Sequence, residues 1–160
     1  MAALPPSAVL TTLLTDEIRD IENFIDVLKQ EEAALAAADL DSLLSLIDRK
    51  SEIATRLNAL VERRETAQKN AGMPPGREGM GKWTARVDPS GKVAGIWARL
   101  LTLAGQARDQ NQINGKLIAL HFQHNQRALA TLMAAADMAT TYGSDGQQKG
   151  GGTGRLLGSA

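Results

Sequence analysis

Three groups of residues in this 160-residue chain have types and spacings that could do chemistry. The first, Gly76-Arg77-Glu78-Gly79-Met80-Gly81-Lys82, has the Gly-x-x-x-x-Gly-Lys spacing of a loop that cradles phosphate on its backbone N–H groups. That chemistry also needs a Ser or Thr next, to hold magnesium, and a strand before the loop. Here the next residue is Trp83, and a helical pattern closed by Pro74-Pro75 comes before. The segment therefore reads as a glycine-rich linker. The second group is His121 and His124, one helical turn apart. A working metal site adds a third ligand, and the nearest carboxylates, Asp109 and Asp137, lie more than about three turns away. They read as ordinary surface histidines, with no metal. The third group is the carboxylates Glu31-Glu32 and Asp39/Asp41. Paired carboxylates become acid and base when their surroundings drive their pKa values apart, and these sit among polar helix-end residues. No Gly-x-Ser-x-Gly places a serine nucleophile, and there is no cysteine to act as thiolate. No enzyme and no cofactor are expected.

Composition narrows the alternatives. Eighteen Lys plus Arg balance eighteen Asp plus Glu, which argues against nucleic acid, whose binders carry excess positive charge. Met1 to Ser7 contains no basic residue, and Asp16 and Glu17 soon interrupt the apolar stretch after it, so no signal peptide is expected. No apolar run approaches the roughly 20 residues that span a bilayer. The expectation is a soluble, cytoplasmic protein. Aromatic residues make up only 3% of the chain, while Ala and Leu abound. That favours a slender helical bundle over a thick core.

The elements that position these residues follow from periodicity. Leu10, Leu14, Ile18, Ile21, Ile25, Leu28 and Leu35 recur at threes and fours, with Glu32 in the remaining slot. They predict a first helix over 7–37, capped by Ser7, with Asp16, Glu17, Asp20, Glu22, Asp26 and Glu31 on a solvated face. Asp39-Leu40-Asp41-Ser42 offers N-cap residues but neither Gly nor Pro. A tight turn is expected there; one continuous helix is the rival. A second helix over 41–71 carries Leu40, Leu43, Leu44, Ile47, Ala54, Leu57, Leu60, Val61 and Arg64 on or next to its seam. Lys50 lies beside it, its stem covering apolar surface. After a connector over 76–91, with room for a helical turn around Met80 to Val87 and anchored by Trp83, a third helix over 92–140 carries Ile96, Trp97, Leu100, Leu101, Ala104, Ala107, Asn111, Ile118, Phe122, Leu129, Leu132, Met133 and Ala136. The Gly-rich end, 143–160, is expected to be a flexible tail after a single domain over 7–142. The fold class is thus all-α: an antiparallel three-helix bundle or coiled coil whose long third helix overhangs.

That overhang moves the reading from bundle to binder. Helices of about 30 residues cannot cover one approaching 50, so Ile118, Phe122, Leu129, Leu132 and Met133 should be left as an apolar stripe, the mark of a partner site. Met133, Met138 and Ala134-Ala135-Ala136 make a soft surface suited to an incoming helix. An intramolecular core or a homodimer seam stays open beside it.

Several short patterns, in order from Leu10 to Gln147, resemble the FlgN family of flagellar export chaperones. They are the leucine-rich first helix with Glu31-Glu32, then Asp39-Leu40-Asp41-Ser42-Leu43-Leu44, then Lys50 followed by Leu57, Leu60 and Arg64. The two most specific are Asn111-Gln112-Ile113-Asn114-Gly115-Lys116-Leu117-Ile118, similar to an Asn-x-x-Asn-Gly-x-Leu-Ile signature, and Tyr142-Gly143-Ser144-Asp145-Gly146, similar to a Tyr-Gly-x-x-Gly close. The resemblance implies a cytoplasmic chaperone of flagellar type III export. It would bind C-terminal helices of hook–filament junction (hook-associated) proteins, prevent their premature assembly and deliver them to the export gate. It further implies that the C-terminal part holds the client, that Asn111, Asn114 and Gly115 mark the family, and that Tyr142 contributes to docking at the gate. The alternative is a structural coiled coil that homo-oligomerises, a homodimer being the simplest case, without a client.

Overall fold

The computed structural model describes residues 3–141. It contains four helices, α1 (Pro6–Ala37), α2 (Leu40–Asn70), α3 (Gly76–Val87) and α4 (Lys92–Thr141), and no strand among the described residues. The expected tail and Tyr142 lie outside the described residues. The chain divides into two units, Met1–Leu117 and Ile118–Ala160.

Each helix end in the first unit has a local cause. Pro6 sits at the first helical position of α1, where its missing N–H costs nothing, and the cap residue is Pro5 without a side-chain bond. Ser7 therefore lies inside the helix and is not its cap. Ala38 takes the left-handed conformation (φ 53°), and the N–H groups of Ala38 and Asp39 close back onto the carbonyls of Leu35 and Ala34. Asp39 then caps α2, its carboxylate accepting from Ser42 N–H (3.1 Å) and Ser42 Oγ (2.6 Å). The turn, and not a continuous helix, is what forms. Asp88 does the same for α4, accepting from Ser90 N–H, Ser90 Oγ and Val93 N–H.

The connector departs from expectation: it is a 12-residue helix, α3. Of its glycines, Gly79 is the one that close packing requires. A Cβ on Gly79 would overlap the Pro74 carbonyl, and Gln68 Nε2 bridges the Pro74 and Gly76 carbonyls at 2.5 and 3.1 Å. Met80 and Trp83 are buried in the main core with Leu10, Leu14, Ile18 and Ile21 of α1 and Val93, Leu100 and Ala107 of α4. A second cluster, Val27, Ala34, Leu46 and Ile53, joins α1 to α2. Pairings across the interfaces set the directions. Glu17–Arg64 and Glu31–Lys50 make α1 and α2 antiparallel, while Glu22–Arg99 and Glu32–Gln110 make α1 and α4 parallel. Consecutive long helices therefore alternate. The lengths, 32, 31 and 50 residues, match the pattern of a short hairpin followed by a long third helix.

Candidate functional site

The polar residues of the first unit are used inside it. Asn114 is fully buried on α4. Its Nδ2 donates to the Leu28 carbonyl and to Glu31 Oε2, both at 2.7 Å, and its Oδ1 accepts from Gln110 Nε2 at 3.1 Å. Gln110 also donates to Glu32 at 2.7 Å, and Lys50 of α2 donates to both Glu31 oxygens. One layer of five side chains thus ties α1, α2 and α4 together. Such a layer is favourable only when every member is satisfied, and no buried side-chain N or O among the described residues lacks a partner. Glu31 and Glu32, read from sequence as possible catalytic carboxylates or solvated surface, are structural acceptors.

A second ion pair lies nearer the start of α1. Glu17, expected on a solvated face, is only 2% exposed and accepts from Arg64 Nε at 2.6 Å, while the Arg64 guanidinium stands 5.1 Å from the Trp97 ring centroid. Burial pushes the Glu17 carboxyl above its ordinary pKa, against the opposing hydrogen bond and charge of Arg64. Arg64 and Lys50 do more than cover apolar surface: they neutralise α1 carboxylates that two neighbouring helices bury.

The other chemical candidates resolve similarly. The Gly76–Lys82 segment is helical, Trp83 is buried, and Lys82 pairs with Glu78 at 2.8 Å. A helix does not wrap its N–H groups around a phosphate as a loop does. Asp39 caps α2 and Asp41 is exposed. His121 is half-buried and His124 exposed, and no group of three or more metal-ligating side chains occurs among the described residues. The family-signature residues separate. Asn114 is buried, whereas Asn111, which the sequence stripe included, is exposed, and nothing lies near the position a Cβ would take on Gly115. The buried line of α4 runs Val93, Leu100, Ala107, Asn114 at a strict spacing of seven, and that spacing was the signal available in the sequence.

In the second unit, Ile118, Phe122, Leu129, Leu132 and Met133 of α4 are all exposed, between 47% and 68%. The sevenfold line of the first unit does not continue through them. Its next positions, 121, 128 and 135, are His, Ala and Ala. Ile118, Phe122, Leu129 and Leu132, with Ala136, sit on a different register, in alternating threes and fours with Asn125 in the one polar slot; Met133 lies beside it, and Leu120 and Met138 fall on the opposite face. The register slips between Leu117 and Ile118, so the exposed seam is not an extension of the buried one. Asn125 was not anticipated, although the gap between Phe122 and Leu129 marks it. Among the described residues no helix is long and apolar enough to cross a membrane.

A family model described as FlgN protein matches residues 6–150. A flagella synthesis protein FlgN from Yersinia enterocolitica is 29% identical over 143 residues, covering 88% of this chain and 90% of the relative. A protein of the same name from Proteus mirabilis is 25% identical over 133 residues, covering 82% and 84%. No solved structure matches significantly.

Proposed function

The chain belongs to the FlgN family, and on that premise we propose that it serves flagellum biogenesis as a cytoplasmic chaperone of type III export. It holds C-terminal helices of hook–filament junction proteins against Ile118, Phe122, Leu129, Leu132 and Met133, keeps them from assembling early, and passes them to the export gate. Tyr142 contributes to that last step. No chemistry is performed on the client.

The observation that supports this reading best is the slipped register after Leu117. A seam that begins where the internal line ends, with every large apolar residue exposed, is built for a helix that arrives from outside. Asn125 within it gives the arriving helix one position at which a polar side chain is favoured, which selects its register.

Titration calorimetry with the C-terminal peptide of a hook–filament junction protein tests the proposal. Leu129→Asp together with Leu132→Asp would set two carboxylates against an apolar client face and should weaken binding by about 100-fold or more. Both residues are exposed, so the variant stays folded. Undiminished affinity sinks the proposal. A free protein that is a tight dimer through this seam and ignores the peptide would establish the homo-oligomer instead.

A further inference from the structure

The first unit exposes an apolar row that the bundle does not use. Leu40, Leu44 and Ile47 of α2 are 72%, 66% and 54% exposed, although the sequence pattern places them on the helix seam. The residues of α2 that do pack are Leu46 and Ile53, with Leu43 and Leu57 half-buried beside them. At 100° per residue, Leu40, Leu44 and Ile47 fall within about 60° of one another, with Leu43 between them and the core. Asp41, Asp48 and Glu52 fall on the side away from the core, as a second row parallel to the first. All three are exposed, and none forms an ion pair among the described residues.

We propose that this face of α2 is a second docking surface, and that its occupant is an amphipathic helix from another protein whose apolar stripe is bordered on one side by Lys or Arg. Apolar side chains at i, i+4 and i+7 on a helix form a ridge that fits the groove of another helix. The acidic row fixes which helix: basic residues flanking the partner's stripe meet Asp41, Asp48 and Glu52 at the rim, where opposite charge speeds encounter and discriminates against wrong partners.

Charge also disposes of the other occupants. A second copy pairing antiparallel through the same face would bring its own Asp41, Asp48 and Glu52 against these, where like charges repel, and a parallel pair would set the two acidic rows on opposite flanks with no basic row to meet either. An anionic lipid surface would be repelled in the same way. The α4 seam in the second unit is flanked mostly by uncharged residues, Ala119, Gln126, Ala128 and Ala135, with Asp137 the one carboxylate beside it among the described residues. The two surfaces therefore differ in how strongly they select basic flanks, with three carboxylates beside Leu40, Leu44 and Ile47 against one beside the α4 seam.

The probes are two synthetic helical peptides with the same leucine stripe, one flanked by lysines and the other by glutamates, titrated by fluorescence anisotropy into the full chain carrying Leu129→Asp and Leu132→Asp. The lysine peptide should bind about 10-fold or more tightly than the glutamate peptide, and added salt should erase the difference. Leu44→Asp, at an exposed position, should leave the thermal midpoint unchanged and weaken the lysine peptide about 10-fold or more. Asp48→Lys with Glu52→Lys should invert the preference. Equal binding of both peptides, a preference that survives charge reversal, or affinity indifferent to Leu44→Asp would each overturn the proposal. So would a dimer that dissociates on Leu44→Asp.

Discussion

Replacing Asn114 by alanine tests the polar layer directly. The substitution removes two donated bonds, to the Leu28 carbonyl and to the Glu31 carboxylate, and the acceptor of Gln110. A bond to a charged group contributes about 2 kcal/mol and a neutral one about 1 kcal/mol. Alanine is the better helix former by about 0.5 kcal/mol, which offsets part of the loss. The net cost is about 3 kcal/mol, because Glu31, itself only 4% exposed, keeps Lys50 but cannot turn to water for its lost partner. In a domain of this size that lowers the thermal midpoint by about 6 to 12 °C. Asn111→Ala is the internal control: the same chemical change at an exposed position of the same helix should cost less than about 0.5 kcal/mol. Urea denaturation of both variants, followed by circular dichroism, gives the comparison. Equal costs for the two, or less than about 1 kcal/mol for Asn114→Ala, would refute the layer as a stabilising feature.

The two signature and connector glycines should respond in opposite directions. Gly79→Ala forces a methyl into the Pro74 carbonyl and should cost about 2 kcal/mol or more, whereas Gly115→Ala, in open space, should gain up to about 1 kcal/mol in a denaturant melt. The buried Glu17 makes stability depend on pH with a definite sign. Its folded-state pKa is raised, so the folded chain keeps a proton the unfolded chain has released, and stability falls as pH rises from the ordinary glutamate range through the raised value. Glu17→Gln should remove that slope, read from urea midpoints between about pH 4 and 7. Asp39 and Asp88, lowered by their Ser42 and Ser90 bonds, act oppositely, losing their contribution as pH falls through their folded values. Tyr142→Ala should leave folding and client affinity intact while weakening binding to the export gate. Measuring both affinities on one purified variant decides it, and a loss of client binding alone would move Tyr142 into the client site.

What was legible in the sequence was the period, and what was not was the number of neighbours each helix has. The threes and fours of Leu10, Leu14, Ile18 and Ile21 identify a buried stripe because apolar spacing alone carries that signal. Glu17 and Glu31 lie on a second buried stripe that exists only because α1 is flanked by both α2 and α4. Their burial is tolerable only because Arg64 and Lys50, 47 and 19 residues away in sequence, arrive opposite them. No local pattern reports such an arrangement. α3 was obscured for another reason. Gly76, Gly79 and Gly81 lower helix propensity, yet Gly79 is what lets the helix lie against Pro74, so the tertiary contact overrides the local preference. On α4 the stripe took Asn111 where Asn114 is buried, because the apolar residues of two neighbouring registers, Ala107 and Ile118, were read as one line. The exposure of Leu40, Leu44 and Ile47 was likewise invisible, since a seam residue and an unpartnered one have the same spacing.

The Asn114 layer also answers a problem that α4 creates for itself. Between Leu100 and Asn114 the buried residue of its packing side is the small Ala107, with Leu103 packing from the edge. A slip of seven residues would set Leu100 or Asn114 where Ala107 packs, and would also move Asn114 away from Leu28 and Glu31 and leave a buried carboxylate with half its partners. The penalty for an unsatisfied buried charge exceeds the cost of a few lost methyl contacts. The polar layer therefore adds to Val93, Leu100 and Ala107 in fixing the register of α4 in the first unit. Ile118, Phe122, Leu129, Leu132 and Met133 are exposed and take no part in that layer. On the proposed function, client helices can then be taken up and released at the second unit without repacking the core of the first.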